Sequence, residues 1–136
     1  VFQEEDLSLF SNYIGIPFKD RADTEESADC FGLVRLIYKQ ILKIEVFKPN
    51  SSAFNSRSVL REFLEETSRN WDEVQNLEKY DVIAMAHDPK HPDIIQHFGI
   101  YIGNSKMIHT LKGVGSHISN IHEYKYFIKG FYRWQE

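Results

Sequence analysis

At 136 residues the chain is the size of one ordinary domain, and its 42% hydrophobic and 14% aromatic content argues for a packed globular fold against disorder. A net charge of −4 argues against a phosphate-backbone partner, and no apolar run reaches the roughly 18 residues of a membrane helix, so neither nucleic acid nor membrane is an expected partner. The start, Val1-Phe2-Gln3-Glu4-Glu5-Asp6, is acidic and has neither the basic flank nor the apolar stretch of a signal peptide.

In chain order, Leu7 to Ile14 predict a short helix ending near Gly15, with Pro17 forcing an extended exit. Lys19 to Ser27 is polar and reads as a surface loop. From Cys30 the apolar residues Cys30, Leu33, Val34, Ile37, Tyr38, Ile41 and Leu42 recur at helical spacing, which predicts a helix with one wide apolar face. Ser27 or Asp29 can cap its start. Val59, Leu60, Phe63 and Leu64 mark a second, shorter helix. After Asn76 the pattern becomes strand-like: Tyr80 to Ala86, His97 to Ile102, Lys106 to Leu111, Ser116 to Ile121 and Phe127 to Trp134. His87 to Gln96, with Pro89 and Pro92, is a loop leading into the His97 strand. Helices first and strands last predict an α+β fold, with residues 1–136 as a single domain.

The one cysteine excludes an intrachain disulfide. A lone cysteine is commonly a small buried hydrophobe, but Cys30 also stands where a loop becomes a helix. Unpaired N–H groups and partial positive charge there favour a thiolate, lower its pKa and can stabilise an oxyanion. On the His97 strand, Phe98, Ile100 and Ile102 share one face, which leaves the His97 face for another use as a general base. His109, on the next strand, could hold the working tautomer of His97. Taken alone, each of the three also fits a bland place in a core or on a surface.

The three positions stand in a wider frame. Asp29-Cys30-Phe31-Gly32-Leu33-Val34-Arg35 resembles the nucleophile motif of the NlpC-type cell-wall cysteine peptidases. His97-Phe98-Gly99-Ile100-Tyr101-Ile102-Gly103-Asn104 resembles that family's histidine motif, and Met107-Ile108-His109 its third-residue motif, twelve residues on. Tyr80-Asp81-Val82-Ile83 is similar to the strand that precedes them. The resemblance runs from Tyr13-Ile14-Gly15-Ile16-Pro17 to Gly130-Phe131-Tyr132-Arg133. It implies a papain-like core with the cysteine helix packed on an antiparallel sheet. It also implies a Cys30–His97–His109 triad acting on peptidoglycan stem peptides, commonly beside D-glutamate and diaminopimelate, without a cofactor. The aromatic after the cysteine and the Gly-Phe-Tyr-Arg ending are more similar to the branch found in phage tail proteins. That branch implies other tail proteins as partners and a virion location, acting on the bacterial cell wall or periplasm. The resemblance also places Phe18, Asp29 and Phe31 against the substrate. Phe18 stands where the family usually has Tyr, Phe31 where many hydrolases have Ser, and Asp20-Arg21-Ala22-Asp23 where a Gly-Gly approach is usual. Two alternatives are a tail-tip assembly protein that keeps the fold with little activity, and a related acyl-transferase or amidase.

Other clusters carry less. His87, His91 and His97 with Asp88 and Asp93 fit no standard zinc spacing, so no metal is expected. Glu62, Glu65 and Glu66 with Arg61 and Arg69 read as a solvated helix face, and Phe127, Phe131, Tyr132 and Trp134 as core. Strand parity adds a geometric condition. A regular two-residue turn at Asn104-Ser105 would put His97 and His109 on opposite faces. A three-residue loop, or a two-residue turn with one bulged residue, would put them on the same face.

Overall fold

The computed structural model describes residues 4–49 and 56–135. Helix α1 (Glu4–Ser11) is followed by a turn ending in Gly15, whose φ of +86° suits a residue without Cβ. The predicted helix from Leu7 to Ile14 therefore stops three residues early. Ser116 holds this exit in place: its hydroxyl donates to the Tyr13 carbonyl (2.5 Å) and accepts from Ile16 N–H (2.7 Å).

Helix α2 (Cys30–Ile37) continues as a π-helical turn over Tyr38–Leu42, ended by Lys43 in the left-handed conformation. The continuity to Leu42 is as the spacing predicts, but the burial is wider than one face. Every residue of α2 except Arg35 is buried, because the helix lies against β3 and β4 on one side and Phe47 packs on Phe31. Arg35 pairs with Asp23 and donates from Nε to the Val46 carbonyl (3.0 Å).

The second predicted helix, α3 (Ser56–Asn70), is the longest of the three; Phe63 is buried and Leu64 exposed. The side chains of Val59 and Leu60 lie outside the described residues. On the charged face, Glu66 departs from the solvated reading: it is buried and accepts a hydrogen bond from Asn70 (2.7 Å).

The strands are β1 (Trp71–Val74), β2 (Val82–Met85), β3 (His97–Gly103), β4 (Lys106–Leu111), β5 (Gly115–Asn120) and β6 (Ile128–Trp134). They form one antiparallel sheet in the order β1-β6-β2-β3-β4-β5. The architecture is α+β, as predicted. Strand β1 is absent from the sequence reading, because it follows α3 without a loop and carries two acidic residues in four. It is fixed as a strand by pairing with β6, where Trp71 opposes Trp134 and their rings meet edge to face at 5.1 Å. Of the predicted aromatic core group, Tyr132 and Trp134 pack on the main cluster and Phe131 on a smaller one, while Phe127 is partly exposed.

The sheet has two unlike interiors. Val82, Ala84, Phe98, Ile100 and Ile108 join α2 and α3 in the main core. Ile83, Met85 and Met107 form a smaller cluster on the other face, with Tyr101, Tyr124, Ile128 and Phe131. The 3₁₀ turn Ile121–Tyr124 covers that second face.

Candidate active site

Cys30 owes its position to the start of α2. Asp29 caps the helix, accepting from Gly32 N–H (2.7 Å) on one oxygen and from Arg21 N–H (2.8 Å) on the other. Asp29 N–H also donates to the Ala22 carbonyl (3.0 Å). The loop before the helix is thus pressed onto its first turn, so closely that a Cβ on Gly32 would stand 1.9 Å from the Ala22 carbonyl oxygen. Glycine is the residue that this approach admits.

His97 and His109 are brought together by the hairpin between β3 and β4. The turn is a two-residue one at Asn104-Ser105, both at positive φ (52° and 60°) as a type I′ turn requires. Gly103 pairs with Lys106, Tyr101 with Met107 and Ile100 with Ile108, so Ile102 is the bulged residue. Of the two geometries that keep the histidines on one face, the turn with a bulge is the one present. Continued down the strands, this register sets His109 opposite Gly99 and diagonal to His97. The small residue at 99 matters here: a Cβ there would lie 3.0 Å from Met107 Sδ and 3.4 Å from His109 Cβ.

The result is a hydrogen-bonded chain. His97 Nε2 and His109 Nδ1 are 2.8 Å apart, and His109 Nε2 is 2.9 Å from Ser119 Oγ. Ser119 is missing from the sequence reading. It opposes Met107 on β5, two residues along from His109, on the same face; without the strand pairing nothing in the sequence points to it. His87 stacks on His97 (ring centroids 4.7 Å, 24° between planes), and His117 lies against His109 (4.5 Å). His117 is held by Nδ1 on the Gly115 carbonyl (2.8 Å).

Cys30 and His97 line one cleft of about 360 Å³, together with Phe18, His87, Thr110 and Lys112. The thiol donates weakly to the Gln96 carbonyl (3.7 Å), one residue before His97. His109 is fully buried behind His97 and does not reach the cleft. Asp29 and Phe31 lie on the other side of the thiol, in the wall of a second groove with Arg21, Arg35 and Lys48. Phe31 is buried between Phe47 and Phe98 (5.2 and 5.1 Å), and both Asp29 oxygens are taken by backbone. Of the histidines and aspartates in the loop before β3, His87 and His97 meet, while His91 is half-buried and Asp93 exposed.

The electrostatics correct one expectation. Helix N–H groups do favour the thiolate, but burial outweighs them, and with the neighbouring Asp29 carboxylate pushes the Cys30 thiol up to about 12. Burial pushes His97 well below its ordinary 6.5, helped by the like charge that His109, His87 and His117 would carry. Burial, with His117 and His87, lowers His109 to about 3. At neutral pH the thiol and both imidazoles are therefore uncharged.

A family profile described as the NlpC/P60 family matches residues 15–134. Among solved structures the chain is similar to NlpC2 from Trichomonas vaginalis (TM-score 0.72, 19% identity, 98% of this chain and 46% of that one). It is similar to an NlpC/P60 family protein from Bacillus cereus ATCC 10987 (0.71, 24%, 97% and 40%). It is also similar to the NlpC/p60 domain of the peptidoglycan hydrolase SagA (0.64, 16%, 94% and 95%). The chain spans less than half the length of the first two of these. No curated protein sequence matches it. At these identities the likeness carries the fold, which is papain-like.

Proposed function

Because the chain belongs to the NlpC/P60 family, and its fold brings the Cys30 thiol and His97 to one cleft with His109 bonded to His97 behind it, we propose that it is a cysteine peptidase hydrolysing peptide bonds in peptidoglycan stem peptides. The observation that carries this is the 2.8 Å contact between His97 Nε2 and His109 Nδ1. It leaves Nδ1 of His97 as the nitrogen that can take the thiol proton. For Nδ1 to be unprotonated, Nε2–H must donate to His109 Nδ1, and His109 Nε2–H must in turn donate to Ser119 Oγ. Ser119 Oγ, a hydroxyl that can accept as well as donate, accommodates this direction of the chain, in which Nδ1 of His97 is the base.

Chemistry then starts from neutral partners. As Sγ of Cys30 bonds to the carbonyl carbon, its proton passes to His97 Nδ1 and the carbonyl electrons move to oxygen. N–H groups at the start of α2 receive that oxyanion in this reading. Collapse breaks the C–N bond, and His97 returns the proton to the leaving amine. Water then attacks the thioester, losing a proton to His97. The acid departs and the thiol is restored. Substrate covering the cleft keeps these charges out of water, which would weaken their mutual attraction. Phe18 is an apolar wall of the cleft, and Asp29 and Phe31 serve substrate binding by shaping the wall of the second groove, Asp29 as the cap of α2 and Phe31 from its buried place between Phe47 and Phe98. No metal or other cofactor enters these steps.

The finer reading is that residues 1–136 form one peptidase domain of a phage tail, carried in the virion and acting on the cell wall with other tail proteins. Phe31 after the nucleophile and the Gly130-Phe131-Tyr132-Arg133 ending support that branch. A second reading, a tail protein with the fold and little turnover, is favoured by the high thiol pKa and by Phe18, which offers no hydroxyl. The deciding experiment is a mass-spectrometric digest of purified peptidoglycan by wild type and by Cys30→Ala. New muropeptides from the first alone support the peptidase. Identical, undigested profiles from two folded proteins would leave the structural reading.

A further inference from the structure

Among the described residues, three buried side-chain polar atoms have no protein partner: Trp71 Nε1, His87 Nδ1 and Thr110 Oγ1. Folded proteins satisfy nearly all such groups, because an unmatched one carries its full desolvation cost. Trp71 lies on β1, on the side of β6 away from the histidines. The other two line the one cleft that holds Cys30 and His97.

They stand on different walls of it. Thr110 follows His109 on β4 and is 1% exposed. Alternation turns it to the opposite face from His109, toward α2; it pairs with Ser116 on β5, and the β3 register sets it opposite Phe98. His87 leaves β2 on the other wall, its ring flat against His97. Each atom can donate or accept: a hydroxyl rotates freely, and a neutral imidazole nitrogen does one or the other by tautomer. Burial keeps His87 below its ordinary pKa, against the opposing pull of Asp88. The cleft interior thus offers two uncharged, reversible partners, with the charges of Asp88 and Lys112 flanking them. An uncharged group with both a donor and an acceptor matches that pair, and the peptide amide is such a group.

We propose that Thr110 and His87 are substrate-contacting residues, which hydrogen-bond backbone amides of the bound peptide on the two sides of the thiol. The inference rests on the peptidase reading above and deepens it.

Binding is read without turnover in the Cys30→Ala protein, by calorimetry with a stem peptide containing D-glutamate and diaminopimelate. Adding Thr110→Val, which keeps the shape and removes the hydroxyl, is expected to weaken Kd about tenfold or more. Adding His87→Phe, which keeps a ring to stack on His97, is expected to do the same. Thr110→Ser keeps the hydroxyl and stays within about threefold of the parent. Neither damaging change removes a hydrogen bond inside the protein, so Tm holds or rises. Parental affinity in both Thr110→Val and His87→Phe overturns the proposal. So does a fall in Tm with Thr110→Ser as damaged as Thr110→Val, which marks a packing role. Binding that responds as expected, in a protein whose wild type cleaves nothing, would fault the peptidase reading and leave these contacts standing. Cleavage by wild type with Kd indifferent to both changes would do the reverse. No binding by a folded Cys30→Ala parent would overturn both.

Discussion

The two faces of the central sheet are built from alternate residues of the same strands, yet they have different work. Toward α2, β3 presents Phe98 and Ile100, fully buried in the main core. On the other face it presents His97, and β4 presents His109, equally buried but joined in a chain of polar atoms that ends at Ser119. Burial on the first face holds the molecule together. On the second it keeps two imidazoles neutral and fixed in orientation, which costs stability and, in the proposed mechanism, prepares a proton acceptor. In that mechanism one strand divides stability and chemistry between its odd and even positions.

The sharpest break between the faces is expected from single substitutions. Cys30→Ala and His97→Ala are expected to abolish turnover, by at least about 10³-fold, while Tm stays near that of wild type. Phe98→Ala, one residue from His97, is expected to destabilise by about 3–5 kcal/mol in thermal or urea unfolding. If His97→Ala unfolded the protein and Phe98→Ala did not, the division would be drawn the wrong way round.

Within the polar chain the effect should fade with distance from the thiol. His109→Ala is expected to lower kcat by about 10²-fold, less than His97→Ala, because it orients the base and does not carry the proton. Ser119→Ala is expected to cost less again, with KM held and the fall confined to kcat. Steady-state kinetics of the three variants place them in that order or refute the relay.

The thiol gives a third test. Raised to about 12 by burial and Asp29, Cys30 is expected to react slowly with iodoacetamide in the folded protein from pH 6 to 9. In urea the same thiol should titrate near the free value of about 8.5. Rapid labelling of the folded protein at pH 7 would show that His97 and the helix start overcome burial.

A smaller effect is expected in acid. The folded pKa of His109 lies near 3 and that of His97 well below 6.5, so the unfolded chain takes up protons first as pH falls. The stability that depends on their neutral forms is intact above about 6.5. For His109 it is lost between about 6.5 and 3, at about 1.4 kcal/mol per pH unit, and His97 adds a loss of the same sign as pH falls below about 6.5. Replacing His109 by Gln should flatten the slope of urea midpoint against pH over that range. An unchanged slope would mean that other groups govern acid unfolding.

The cysteine helix and four of the strands at the site were legible because their signals are local: helical spacing from Cys30, alternation on β3, and Asp29 as a cap. Pairing parity even narrowed the hairpin to two geometries. Strand β1 was not legible, since four residues with two acids alternate too briefly to count. The three-residue error at the end of α1 has a different cause, since Ser116, a hundred residues away, holds the exit turn.

By itself the sequence determined which residues could carry the chemistry and which hairpin geometries would bring the two histidines to one face, because periodicity and motif spacing act along the chain. Only the tertiary structure decided how those groups behave. The pKa of Cys30 depends on what surrounds the thiol, and burial there overrides the helix start. Ser119 joins the histidines only through the pairing of β4 with β5, and Thr110 and His87 share a cleft only because β4 and the loop after β2 meet beside α2. Contacts and desolvation are properties of the packed molecule, and they are set by residues far apart in the chain.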